Sequence, residues 1–305
     1  MNAPNPLLAP APCPRLERAI NRMVRDLAAP LTLADLAEAA HYSPWYLVRR
    51  FQAHYQTTPQ AFLWRLRLEV AASLLHWAPR MPISEVALAV GFSSAATFSR
   101  AFNRTYGFTP SAWRRGTPPA REWLRRNLGP ISYQPGEEIV GTDADFNWSF
   151  TEVATRISVE EWPAARMLTV REVGDYGRHL ENLFLELERQ CQQHQIPQPD
   201  ERFGLIWSDP ATTPAGRRRY DAAFPIGPQV RIPRGMGEYR LPAGRWAVFH
   251  HSGLSDDIGP RWRDLMLTWL PQTGLVPDPS RPRLEHYYEY GRRDGRYDLC
   301  LPLMG

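Results

Sequence analysis

The strongest constraint on this chain is a block it states twice. Residues 82–114, "PISEVALAVGFSSAATFSRAFNRTYGFTPSAWR", open with apolar residues at helical spacing, Val86, Ala87 and Val90, and then reach Gly91. A residue without a Cβ suits a tight turn between helices. Beyond the turn, Ser93 or Ser94 can cap a second helix, whose Phe98, Ala101, Phe102 and Tyr106 form one apolar stripe. Ala95, Ala96, Thr97, Arg100, Asn103 and Arg104 are left facing outward. The earlier copy runs from Thr32: Leu36-Ala37 stands for Val86-Ala87, "YSPWYLVRRF" for "FSSAATFSRAF", and Ser43 lies 50 residues before Ser93. "TTPQAF" and "FTPSAW" close the two copies with proline-started helices.

A plain helical hairpin would account for either copy alone. Two copies, each with an arginine-bearing outward face, fit paired helix-turn-helix units. An amphipathic helix carrying Leu16, Ile20, Met23 and Leu27 precedes them, ending before Pro30. Between them, Pro59 to Trp77 reads as one helix with Phe62, Leu66, Val70 and Leu74 in register. At about 1.5 Å per residue it spans roughly 27 Å, enough to hold two reading helices about one DNA turn (roughly 34 Å) apart.

Charge supports a polyanion partner for this half. Lysine is absent, so all 36 basic residues are arginine. Residues 1–126 hold 16 of them against 7 carboxylates, whereas the remainder holds 20 against 25. A basic front and an acidic back separate a nucleic-acid-binding domain from a domain with another task. No run approaches the roughly 18 uncharged apolar residues that span a bilayer, so no membrane partner is expected. The proline-rich start, residues 1–14, reads as a disordered tail rather than a signal peptide. Cys13, Cys191 and Cys300 share no metal or redox spacing, which favours a reducing cytoplasm.

Residues 15–115 resemble the AraC/XylS family of bacterial transcription regulators, through the "GFSS…FSRAFNRTYGFTPSAWR" block. The resemblance implies two reading helices in successive major-groove segments of double-stranded DNA. By position it places Trp45, Val48 and Arg49 of the first helix, and Ala95, Ala96, Thr97 and Arg100 of the second, at the bases. Family members carry polar residues where this chain has Val48, Ala95 and Ala96; these three can touch thymine methyls but cannot read bases by hydrogen bonds. Arg49 and Arg100 are therefore the specificity candidates, with guanine the expected target and plain phosphate contact the alternative. Trp45 either packs on the sugar-phosphate backbone or covers the core.

The second half repeats as well. "WPAARMLTVREVG" at Trp162 returns as "LPAGRWAVFHHSG" at Leu241, and "RRYDAAFPI" around Tyr220 returns as "GRYDLCLPL" around Tyr297. Each copy carries one amphipathic helix, Arg178 to Gln193 and about Pro260 to Thr273, among alternating segments that read as strands. The expected domain is α+β, two pseudo-symmetric β-α-β-β units with a ligand groove where they meet. Tyr220-Asp221 and Tyr297-Asp298 recur in both copies and read as structural. His250-His251 point to opposite strand faces and cannot easily chelate together. No glycine-rich phosphate loop or nucleophile elbow is present, and neither metal, cofactor nor catalytic residue is expected.

Residues 153–305 resemble the GyrI-like small-molecule-binding domain of multidrug-responsive regulators, through the repeated "RYD…P" block and "PRLEHY". The resemblance implies one acidic residue on a strand of the second repeat, inside an aromatic groove. It falls on Glu285, with Glu289 second by strand parity, among Trp207, Tyr239, Trp246, Tyr287 and Tyr288. A carboxylate there is desolvated, its pKa rises, and a lipophilic cation offsets the cost. The expected organisation is a tail (1–14), an all-α double helix-turn-helix domain (15–116), a linker (117–152) and an effector domain (153–305). The chain then reads as a one-component regulator that also contacts RNA polymerase. The alternatives are a DNA-binding activator whose back half contacts a protein, or a GyrI-like hydrolase with Glu285 as base.

Overall fold

The computed structural model describes residues 13–116, 148–174, 180–209, 212–213, 215–252, 258–288 and 295–305. Most of the expected tail and linker, the start of the first sensor helix at Arg178, and Glu289 lie outside them.

Among the described residues, seven helices form the front: α1 (Pro14–Arg25), α2 (Leu33–Ala39), α3 (Pro44–Tyr55), α4 (Pro59–Trp77), α5 (Ile83–Ala89), α6 (Ala95–Tyr106) and α7 (Pro110–Arg114). The local chemistry explains the boundaries. Thr32 and Asp35 close a capping box on α2, and Ser43, Thr58, Ser94 and Thr109 accept from the backbone N–H three residues on, at α3, α4, α6 and α7. The second reading helix is capped by Ser94, not Ser93, so the second turn is one residue longer. Arg49 and Arg100 consequently occupy the same place in their helices.

Both turns are built alike. The N–H of Tyr42 reaches Ala37 O and that of Phe92 reaches Ala87 O, each at 2.9 Å. The residue between helices is left-handed in both, His41 at φ 52° and Gly91 at φ 84°. Leu47 and Phe51 of α3 and Phe98, Phe102 and Tyr106 of α6 enter one core with α1 and α4. Leu16, Ile20 and Met23 of α1 are fully buried there, each contributing on the order of 1.5–3 kcal/mol. Arg67 of α4 ties the halves of this domain together, donating to Leu27 O (3.0 Å), Ala29 O (2.7 Å) and Gly91 O (3.1 Å).

The back is an eight-stranded antiparallel sheet in the order β1-β6-β8-β7-β3-β4-β2-β5. Its strands are β1 (Ile157–Trp162), β2 (Ala165–Val173), β3 (Arg202–Ile206), β4 (Arg219–Pro225), β5 (Gly237–Leu241), β6 (Gly244–Ser252), β7 (Arg283–Tyr287) and β8 (Arg296–Pro302). The order is symmetric about the β3–β7 junction. Each repeat carries one leading strand more than the spacing predicts, and that strand pairs with the other repeat, β1 with β6 and β5 with β2. Pro163 and Pro242, which follow the leading strands, have no N–H to give a tight hairpin ladder. A short helix α8 (Phe150–Ala154) lies before β1, and Trp148 stacks on Phe249, so the end of the expected linker packs on the sheet.

One face of the sheet carries helix α9 (Leu180–Gln193) and the second-repeat helix, which runs as α10 (Ile258–Arg263), a π-helical segment (Asp264–Trp269) and α11 (Leu270–Thr273). The helix-turn-helix domain meets the molecule on the β2–β4 side. There Arg171 of β2 bonds Asp221 within the sheet and Glu17 and Asn21 of α1. Farther along, Asp209 accepts from Ser73 (2.5 Å) and from Trp77 Nε1, both on α4.

Candidate DNA-reading face and ligand site

On α3, Trp45 and Arg49 are exposed, Trp45 by 68%, and Val48 is half-buried. The Arg49 guanidinium lies 5.3 Å from the Trp45 ring centroid. Trp45 therefore supports an outward arginine rather than covering the core. On α6, Ala96 and Arg100 are exposed, while Ala95 and Thr97 are half-buried. The Ser94 hydroxyl donates to Thr97 Oγ1 at 3.0 Å, which draws that hydroxyl into the cap. Arg49 and Arg100 are thus the long polar side chains among the seven sequence-derived positions, on equivalent turns of the two helices.

In the sheet domain, Glu285 of β7 is 5% exposed and faces the helices. Its Oε2 accepts from the Tyr220 hydroxyl at 2.8 Å and the Tyr287 hydroxyl at 2.9 Å, and its Oε1 from Trp262 Nε1 at 3.2 Å. Among the described residues no cation is paired with it. Burial pushes its pKa up, opposed by these three donors and by the charge of Arg283. A buried carboxylate with aromatic donors and no counter-cation favours an incoming cation.

Room for this arrangement comes from Gly204, directly opposite Glu285 on β3. Ile206 pairs with Tyr220 as Tyr287 pairs with Tyr297, so Gly204 is the symmetry counterpart of Glu285. A Cβ on Gly204 would lie 1.8 Å from the Tyr220 hydroxyl and 3.0 Å from Glu285 Oε2. The pseudo-twofold scaffold therefore holds one carboxylate at its centre, against a glycine.

Of the seven sequence-derived ligand residues, Glu285 and Tyr287 come together here. Trp207, Tyr239, Trp246 and Tyr288 do not, because strand parity and the curl of the sheet put them on the opposite face. Trp207 donates to Asp221 (2.8 Å) and meets Tyr239 edge-on at 4.9 Å; Trp246 is fully buried beside Trp162; Tyr288 donates to Asp298 at 2.6 Å. Glu289 lies outside the described residues. Tyr220 and Trp262 complete the candidate site, and sequence reasoning missed both. The repeated Tyr-Asp pairs held the signal for Tyr220: its hydroxyl holds Glu285 on one face, while Asp221 binds Arg171 and Trp207 on the other.

Among characterised families, a helix-turn-helix domain matches residues 36–116 and a GyrI-like small molecule binding domain matches residues 155–304. A DNA gyrase inhibitor of Yersinia enterocolitica is 30% identical over 147 residues, spanning 47% of this chain and 92% of that protein. Regulatory protein SoxS of Escherichia coli is 35% identical over 101 residues, spanning 30% of this chain and 94% of that protein. A solved AraC-type DNA-binding regulator from Chromobacterium violaceum is 32% identical, with a TM-score of 0.32, and covers 34% of this chain and 95% of its own. Among the described residues no helix is long and apolar enough to cross a membrane. The chain belongs to the AraC-type helix-turn-helix regulators by its front half and to the GyrI-like small-molecule-binding family by its back half.

Proposed function

We infer that this protein is a one-component transcriptional regulator of the cytoplasm whose sensor domain binds a lipophilic cation at Glu285. The observation that carries the reading is the buried, three-donor carboxylate with no counter-cation among the described residues. Tyr220, Tyr287 and Trp262 orient the carboxylate and offer aromatic faces to the ligand, while Gly204 leaves the space that the Tyr220 hydroxyl fills. Glu285 acts as a binding anion and not as a catalytic base. On DNA, Arg49 and Arg100 read guanines in two successive major-groove segments, with Trp45, Val48, Ala95, Ala96 and Thr97 shaping the contact. Ligand binding then biases how the bound regulator presents itself to RNA polymerase.

Titration of the full chain with the cationic dye rhodamine 6G, followed by tryptophan fluorescence, tests this. Saturable binding is expected, and Glu285→Gln weakens it about tenfold or more, the equivalent of roughly 1.4 kcal/mol. Absence of saturable binding, or unchanged affinity in Glu285→Gln, rejects the cation site.

A second reading has one observation behind it: the relative named as a DNA gyrase inhibitor aligns with nearly its whole length. On that reading the sensor half binds a protein. Co-purification of gyrase with the wild-type chain, at equal yield with Glu285→Gln, would favour it over the ligand site.

A further inference from the structure

A cavity of about 290 Å³ lies between the helix-turn-helix domain and the sheet, lined by Arg219, which alternates on β4 with the Tyr220 that holds Glu285 and so points to the opposite face. Its walls come from α1, α3 and α4 on one side and from the ends of β2 and β4 on the other. Ile20, Phe62, Leu66 and Val173 supply an apolar floor. The charged groups are arginine-rich: Arg65, Arg217 and Arg219 line it together with Glu17 and Glu69.

These charges do not balance. Glu69 lies 3.8 Å from Arg65 and 3.3 Å from Arg217, and so serves two guanidiniums. Glu17 is held by Tyr55 and by Arg171, which also takes Asp221. Arg219 is left over. It is 5% exposed, its Nη1 has no hydrogen-bond partner, and among the described residues no carboxylate pairs with it. Glu17, Glu69 and Tyr55, whose charges it feels, all line this cavity, so its guanidinium faces inward. Burial and the nearby Arg171 both disfavour its charge. A buried guanidinium without an anion is costly, and an anion entering the cavity relieves that cost.

We propose that this interdomain cavity binds a small monocarboxylic acid, its carboxylate on Arg219 and Arg217 and its apolar body on Ile20, Phe62 and Val173. The volume equals roughly ten waters at about 30 Å³ each, room for an acid of roughly ten heavy atoms. The site is independent of the Glu285 reading and takes ligands of opposite charge. Its walls join α4, which connects the two reading units, to β4, which carries Tyr220. A bound acid therefore couples to DNA affinity, and DNA to the acid, by the same factor.

The test uses the full chain and sodium benzoate as probe, with sodium chloride and sodium sulfate at matched ionic strength as controls. Benzoate is expected to raise the unfolding temperature saturably and to change operator affinity, whereas chloride and sulfate do neither. Arg219→Gln is expected to abolish the saturable shift, and Arg217→Glu, at a partly exposed position, to weaken benzoate at least about fivefold. Glu285→Gln keeps benzoate binding, which separates failure of this site from failure of the cation site. No saturable benzoate effect, an equal effect of sulfate, or retention of the effect in both arginine variants would overturn the proposal.

Discussion

Arg171 binds Glu17 across 154 positions of chain and so joins the sensor sheet to the first helix of the DNA-binding domain. Its Nε and Nη2 donate to Asp221 at 2.5 and 2.7 Å, and its Nη1 reaches Glu17 and, at 3.0 Å, Asn21. Burial pulls the pKa of this guanidinium down, and the two carboxylates more than reverse that pull. Asp221 also accepts from Trp207, over whose ring Arg171 lies at 5.1 Å. The clamp thus connects the sensor sheet to α1 through one fully occupied network.

Removing the clamp should uncouple the domains. Arg171→Ala leaves Glu17 and Asp221 buried without their cation, which typically costs 3–5 kcal/mol. Arg171→Lys should recover only part of this, because an ammonium cannot reproduce the two-pronged contact with Asp221. Calorimetry checks both: one cooperative transition in the wild type is expected to separate into two in Arg171→Ala. A single unshifted transition would show that the clamp carries no coupling.

The DNA-reading assignment predicts a specific loss. Arg49→Ala and Arg100→Ala should each remove roughly 1–3 kcal/mol of discrimination between a selected operator and its guanine-substituted variants. Sequence preference that survives in the double variant would reassign both side chains to phosphate contact. Trp45→Ala should mimic part of the Arg49 loss, since the exposed indole supports that guanidinium.

The two inter-helix turns should respond oppositely to exchange of their left-handed residue. Gly91→Ala adds a Cβ 2.7 Å from Leu27 O and 2.8 Å from the Arg67 guanidinium carbon. Together with the roughly 1–2 kcal/mol cost of a left-handed L-residue, this should destabilise the domain by more than about 2 kcal/mol. His41→Gly removes a similar backbone penalty at an exposed position and should stabilise by up to about 1 kcal/mol. Urea unfolding midpoints distinguish the two.

Acid should loosen the domain boundary through His76. Burial lowers its pKa from 6.5 to about 4, against the opposing charge of Asp209, and its Nε2 is shielded from solvent. The folded state therefore holds the neutral ring. Stability from this group is complete above the unfolded pKa of 6.5 and is lost as pH falls toward the folded value of about 4, by roughly 3 kcal/mol at most. Asp264, raised to about 6 by burial, has the opposite sign and costs stability as pH rises from the ordinary carboxylate range through about 6. Glu285, also raised, acts in the same direction as Asp264. Comparing urea midpoints of His76→Gln and wild type across the window from 6.5 to about 4 isolates the histidine: the variant should fall less with acid.

The helix-turn-helix half was readable because its instructions are local. Caps at Ser43, Ser94 and Thr109 act over three residues, and the turn bonds from Tyr42 and Phe92 over five. The ambiguity between Ser93 and Ser94 disappeared only with the cap geometry. The sheet half was readable along each strand and not across strands. Tyr288, three residues beyond Glu285, falls on the opposite face by strand parity, and Trp207, Tyr239 and Trp246 join that face through a strand order that no single strand encodes.

By itself, the sequence determined the doubled reading unit and the pseudo-twofold sensor, since periodicity, capping and proline and glycine placement act within a few residues, while the strand position of the acidic residue came from the resemblance to GyrI-like domains. Tertiary structure decided which groups meet Glu285, through Tyr220 lying 65 positions away and Trp262 lying 23. It also decided the exchange of the leading strands, the Arg171 clamp and the cavity beside Arg219. The physical reason is common to all of these. A buried charge must find its partners in space, and an antiparallel sheet with exchanged strands brings together residues whose separation along the chain carries no periodic signal.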